Sequence, residues 1–215
     1  MIGSNFRFHP AITTIKELLE KDIVGNIVSA RIEGGSYLPE WHPDEDYRKM
    51  YSAKAGVGGA LLDYIHELNY ARWLFGEVEK VTAMLSSASS LEIDTEDSAS
   101  LITEFTDNEI VEFHLDYIQR PYSRSCHIVG EKGTIRWEWD WSSVKYYNSQ
   151  EGEWVTENKW PEYEANQMYI DEMKHFLQCI NNKKETRSTL SDGYKDLKIA
   201  VAAKDSAKSG RHIEL

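Results

Sequence analysis

The sequence predicts an α+β fold: a predominantly antiparallel β-sheet with helices packed on one face. Two observations carry this. From about residue 77 to 158 the chain alternates apolar and polar residues between short turns, as successive hairpins do. Four segments outside that block place apolar residues at helical spacing. The chain has 215 residues, 41% of them hydrophobic, with 7 Trp, 12 Tyr and 6 Phe, enough for one domain (1–215) with a substantial core.

Taken in order, "AITTIKELLEK" sets Ile12, Ile15, Leu18 and Leu19 on one helical face before Gly25. "NIVSARIEGG" alternates Val28, Ala30 and Ile32 as a strand does. Residues 36–55, "SYLPEWHPDEDYRKMYSAKA", form a polar, aromatic connection of a length associated with function. The apolar stretch 58–76, "GGALLDYIHELNYARWLFG", has the length of one core helix. The hairpins follow, with turns at Asp107-Asn108, at Gly130–Gly133 and around Gln150–Gly152. Two helices, about 165–182 and 191–208, precede a short terminal strand "HIEL".

A net charge of -12 disfavours nucleic acid and anionic membranes, since both call for a surplus of Lys and Arg. The basic excess after Asn181 reads as a solvated helix face. Cys126 and Cys179 lie far apart with no C-x-x-C, which fits two reduced thiols in a cytoplasmic protein better than a disulfide or zinc. The first ten residues lack the pattern of a signal peptide, and no apolar run reaches the ~20 residues of a membrane span. His9, His114, His127, His175 and His212 read as structural or exposed; His114 and His127 sit in strands without an acid at ligand spacing, so no metal site is expected.

The helix at 58–76 poses the functional question. At about 100° per residue, Leu61, Ile65, Leu68, Ala71 and Phe75 form an apolar stripe, and Asp63, His66 and Tyr70 share a sector of about 60° opposite it. Asp63 and His66, three apart, are neighbours on such a helix. A carboxylate there raises the proton affinity of the imidazole and orients it, suiting a base near neutral pH. Glu67 is a second acid beside them. Gly56, Gly58 and Gly59 lead into the helix and admit another backbone or a ligand. "GVGG" is not a dinucleotide fingerprint, because Leu61 stands where glycine is needed and no strand precedes it.

"GGALLDYIHELNYARWLFG" resembles the signature of the Gfo/Idh/MocA oxidoreductases, with Asp63, His66 and Arg72-Trp73-Leu74-Phe75-Gly76 at the family's positions. "NFRFHP" (Asn5, Arg7, Pro10) resembles the segment that opens the family's C-terminal domain. "GEKGTIRWEWD" and "SDGYKDLKIAVAAKDSAKSGRHIEL" resemble its later strand turn and last helix. Residues 37–68 resemble a subgroup linked to sialic-acid-like sugars, from which Asn69 departs by replacing an aspartate. The family's N-terminal Rossmann domain, with its glycine fingerprint and catalytic lysine, is absent from these 215 residues.

The resemblance implies the substrate-binding and oligomerisation half of an NAD- or NADP-dependent sugar or sugar-acid oxidoreductase. His66 is the expected base and Asp63 its orienter. No cofactor is expected to bind this chain alone, and a separate Rossmann-domain chain is a possible partner. Arg7, Trp41, His42, Tyr47, Arg48 and Arg120 are the expected contacts to a sugar-like substrate, through stacking and hydrogen bonds to hydroxyls or a carboxylate. For Arg120 and Arg124 the alternative is a surface ion pair, and for Trp41 an anchor for its own loop. Trp137, Trp139 and Trp141 share a sheet face, available either for a homo-oligomer contact or for packing against the chain's own helices. A sugar-binding or assembly module without redox function is the alternative to a catalytic half.

Overall fold

A computed structural model describes all 215 residues. A 3₁₀ turn (Asn5–Phe8) leads into α1 (Pro10–Glu20) and β1 (Ile27–Gly35). After the long loop come α2 (Ala60–Asp63) and α3 (Ile65–Phe75). Then follow β2 (Val78–Ser86), β3 (Ser98–Phe105), β4 (Ile110–Asp116), β5 (Ser123–Gly130), β6 (Gly133–Glu138), β7 (Ser143–Asn148) and β8 (Glu153–Lys159). Helices α4 (Asn166–Asn182) and α5 (Leu190–Ser209) and the short β9 (Ile213–Glu214) close the chain.

The nine strands make one sheet in the order β8-β7-β6-β5-β1-β4-β3-β2-β9. Every neighbouring pair is antiparallel except β1 and β4. The parallel pair is possible because β1 is not tied to β4 by a hairpin: a long loop and several elements separate them. Alternation assigns the faces. Ala30 and Ile32, Phe113 and Leu115, Cys126 and Ile128, and Ile135 and Trp137 point to the helices and are buried. The opposite face is open and mixed, with Arg31 bonded to Glu112 (2.9 Å) and with Met84 and Ile102 exposed.

Trp137 of β6 and Trp139 just after it therefore do not form an exposed oligomer surface, while Trp141 is half-buried. Trp137 is fully buried, and its ring and that of Trp139 pack against His9 at 5.1 and 5.5 Å. His9 also caps α1, its Nδ1 accepting from the Ala11 N–H. The structural role expected of His9 is what is seen.

The helix expected over 58–76 is broken at Tyr64, whose φ of -93° and ψ of 26° leave the helical region. The break invalidates a single continuous wheel. Tyr70, placed on the polar face by that wheel, is fully buried, and Ile65, placed in the apolar stripe, is partly exposed. Nearly all of α3 is enclosed, so its polar residues meet other elements instead of water. Arg7 Nε donates to Asn69 Oδ1 (2.8 Å), Asn69 Nδ2 to Asp196 Oδ2 (2.6 Å), and Arg72 Nη1 to Asp196 Oδ1 (2.6 Å). This network joins the N-terminal turn, α3 and α5. It also accounts for Asn69: an aspartate there would set its carboxylate against that of Asp196.

The glycines at the helix entry admit the chain's own atoms. A Cβ on Gly58 would overlap the Tyr51 and Ser52 carbonyls, and one on Gly59 would overlap the Glu96 carboxylate. Gly59 also adopts φ +107°, a conformation that disfavours side chains. Strain and overlap together predict that Gly59→Ala loses about 2–3 kcal/mol of stability. Urea unfolding measures this, and a loss below about 0.5 kcal/mol would contradict the packing described.

Candidate active site

A cleft of about 470 Å³ opens on the helical side. The N-terminal turn contributes Asn5 and Phe6, the loop after β1 Tyr37 and Trp41, and the α2–α3 junction Asp63, Tyr64 and His66. Tyr122 and Arg124, at the start of β5, and Tyr169 of α4 close it.

A buried ion pair between Glu67 and Arg124 forms the base of the cleft, Glu67 being fully buried and the Arg124 side chain 8% exposed. Arg124 Nε also donates to Tyr122 Oη at 2.6 Å, and its guanidinium lies 4.1 Å over the Phe6 ring. Gly34 makes room for this arrangement, since a Cβ there would meet the Tyr64 ring and the Glu67 carboxylate. Burial pushes the Glu67 carboxyl up to about 7, against the pull of Arg124.

His66 lines the cleft but not beside a carboxylate partner. Burial, with Arg124 adding to it, lowers its pKa to about 4, so the imidazole is neutral at pH 7. No hydrogen bond joins Asp63 to His66. Asp63 Oδ2 instead accepts from Tyr117 Oη at 2.6 Å. The expected orienting contact is missing because Asp63 ends α2 and His66 is the second residue of α3, so the two do not lie on one continuous turn. The expected rise in proton affinity is reversed, first by burial of the ring and then by the nearby charge of Arg124.

Of the expected substrate contacts, Trp41 lines the cleft and is also anchored. Its Nε1 donates to Ser36 Oγ at 2.6 Å, and Ser36 bonds Tyr64 Oη at 2.7 Å. Arg120 sits at the rim, 3.2 Å over the Tyr37 ring and 3.3 Å from Glu40, two residues of the cleft wall. Arg7 is not in the cleft: it is buried in the network with Asn69, donates to the Arg187 carbonyl and lies 3.5 Å from Asp192. His42, Tyr47 and Arg48 do not line it either. His42 is exposed, Tyr47 Oη accepts from the Glu92 N–H at 3.3 Å, and Arg48 pairs with Asp46 and Glu92 at the surface. Their loop extends away from the cleft after Trp41.

Sequence reasoning missed Asn5 and Tyr122 as cleft residues, gave Glu67 no role, and did not place Arg124 inside the protein. A signal for Arg124 existed. Period-two alternation puts it on the face of Cys126 and Ile128, the core face. A strand arginine there requires a buried acid, and Glu67 supplies it.

A second hollow of about 460 Å³ lies on the other side of His66, between Ile65, Asn69 and the exposed Leu190, Tyr194 and Leu197 of α5. The latter continue to Val201 as one helical stripe. A parallel stripe runs along α4 through Tyr169, Met173, Leu177 and Ile180, all about half exposed.

Breaking one side of a buried pair costs about 3–5 kcal/mol, because the remaining charge is left uncompensated. Glu67→Leu and Arg124→Leu should each destabilise by that amount, and the double variant should recover at least about 2 kcal/mol relative to their sum. Additive losses in urea unfolding would contradict the pairing.

Comparison with known proteins places these features in a family. Residues 16–215 match a family model described as the C-terminal alpha/beta domain of an oxidoreductase family. D-Apiose dehydrogenase of Paraburkholderia graminis is 25% identical over an alignment covering 100% of this chain and 59% of that protein. Levoglucosan dehydrogenase of Pseudarthrobacter phenanthrenivorans is 33% identical over 90 residues, 40% of this chain and 22% of that protein. A solved levoglucosan dehydrogenase, in complex with NADH and levoglucosan, superposes with a TM-score of 0.89 at 19% identity, over 100% of this chain and 66% of that one. The chain thus spans about two thirds of that structure's length. On the family match over nearly its whole length, the chain belongs to the Gfo/Idh/MocA oxidoreductases, corresponding to their C-terminal domain.

Proposed function

We propose that the chain is the substrate-binding half of an NAD(P)-dependent sugar oxidoreductase, with His66 as the base that accepts the proton of the substrate hydroxyl. The observation that carries this is the position of His66 between two different hollows. One is the cleft, where Asn5, Asp63 and Arg124 stand among aromatic rings, of a size to hold a monosaccharide. The other is apolar and opens onto the uncovered stripes of α4 and α5.

The imidazole is neutral at pH 7, so its lone pair is free for the substrate proton as the hydride leaves, while burial and Arg124 hold its proton affinity below that of an ordinary histidine. Asp63, fixed by Tyr117, and Trp41, fixed by Ser36, hold a ligand hydroxyl and a sugar face respectively. The nicotinamide, when bound, supplies the hydride acceptor.

The residues present do not form a cradle for a dinucleotide. Gly34 and Gly35 are filled by Tyr64, Asp116 and Gln119, and Gly58 and Gly59 by Tyr51, Ser52 and Glu96. The nucleotide is therefore assigned to a further polypeptide unit, whether in a longer form of this protein or in a separate chain. The uncovered apolar surface beside His66 is where that unit docks. A sugar-binding module without redox function has no use for such a surface in that place, so the catalytic half is preferred. The relatives named above are called levoglucosan and apiose dehydrogenases, which supports a sugar substrate and lends nothing to the sialic-acid-like branch.

NADH added to the 215-residue chain alone should leave its tryptophan fluorescence unchanged apart from the inner-filter effect. Saturable quenching would contradict the assignment of the nucleotide to another unit. In an enzyme completed with a nucleotide-binding unit, His66→Ala should lower turnover by about a hundredfold or more with protein stability preserved. Turnover within about threefold of the parent would remove His66 from proton transfer.

A further inference from the structure

We infer that the cleft selects an uncharged polyol over the corresponding sugar acid, with Asn5 and Arg124 reading substrate hydroxyls alongside Asp63. The inference rests on reading the cleft as a sugar site and narrows what enters it.

The basis is the set of polar atoms that the fold leaves open. Asn5 is 4% exposed, lines the cleft, and has an Oδ1 with no hydrogen-bond partner. Its Nδ2 is used, reaching Met168 Sδ at 3.5 Å. A buried carbonyl oxygen without a donor marks a place where a donor arrives with a ligand. Arg124 spends Nε on Tyr122 and Nη1 on Glu67, and Nη2 makes no hydrogen bond within the protein. Asp63 spends Oδ2 on Tyr117 and also has the Tyr51 hydroxyl beside its carboxylate, while Oδ1 makes no hydrogen bond of good geometry within the protein. Across these three residues the open positions are two acceptor oxygens and the two N–H groups of Arg124 Nη2. Hydroxyl groups satisfy all of them, because each carries an O–H and two lone pairs. A carboxylate only accepts. It suits Arg124 alone and would set its oxygens against those of Asn5 and Asp63.

Charge acts in the same direction. The charged residues of the cleft wall are Glu40, Asp63 and Arg124. Arg120 balances Glu40 at 3.3 Å, and at pH 8, above the value of about 7 to which burial raises it, Glu67 is ionised and balances Arg124 from below. His66 is neutral at pH 7. Asp63 is the charge left without a counter-ion, and it is negative, in a chain of net charge -12. An anionic sugar meets repulsion both on approach and at the site.

Saturation-transfer NMR on the 215-residue chain at pH 8 tests this with matched pairs: D-glucose against D-glucuronate, and D-xylose against D-xylonate. The neutral member of at least one pair should bind about tenfold tighter than its acid. Asn5→Leu should weaken the neutral ligand about fivefold or more, and Asp63→Asn should narrow the gap within the pair. Thermal unfolding of both variants verifies that they fold, and Asp63→Asn suffices if Asn5→Leu does not. Acids bound as tightly as, or more tightly than, their neutral partners in both pairs would overturn the selectivity and leave the sugar site standing. No binding of any of the four at roughly 100 mM would overturn the selectivity and the sugar-site reading together.

Discussion

The Glu67–Arg124 ion pair is the constraint on which the rest of the site depends. It joins α3 to β5 through two groups that cannot be buried singly, so the helix has one rotation and one depth on the sheet. That rotation turns His66 toward the cleft and places a permanent cation beside it. The neutral state of the imidazole follows from burial and from that cation together. Gly34 makes the pair possible, since a side chain at that position would occupy the space of Tyr64 and Glu67.

A second polar network divides the family motif between two tasks. Arg7, Asn69, Arg72 and Asp196 bind the N-terminal turn, α3 and α5 to one another and do not reach the cleft. Asp63 and His66, from the same motif, do line it. Arg7 and Arg72 thus serve assembly of the helical layer, while the polar side chains that face the cleft lie around the Tyr64 break. The two functions share one helix because α3 is enclosed on nearly every side.

Much of the scaffold was legible in the sequence. Alternation and turn residues located the hairpins, and the helical spacing of α1, α4 and α5 held to within a residue or two. The parallel pairing of β1 with β4 was not legible, because no local signal sets the neighbour of a strand that lacks a hairpin partner. At the site, the wheel failed where it assumed a continuous helix: Tyr64 leaves the helical region, and the faces of α3 are then set by Glu67 and Asn69 finding distant partners. Asp63 and His66 were found as residues, but their relation was not, since the partner of Asp63 is Tyr117, 54 positions away. Polar aromatic composition brought His42, Tyr47 and Arg48 into the expected site, yet composition carries no direction: His42 and Arg48 lie at the surface and Tyr47 packs against the edge of the core, away from the cleft.

The protonation state of His66 joins the fold to the chemistry, and it can be measured directly. Imidazole ¹⁵N and ¹H shifts, assigned by comparison with a His66→Gln variant and followed from pH 8 downward, should keep His66 in its neutral form until well below pH 6, with a midpoint of about 4. A midpoint at or above the ordinary value near 6.5 would mean that burial and Arg124 do not act on the ring as described, and the account of the site would fail.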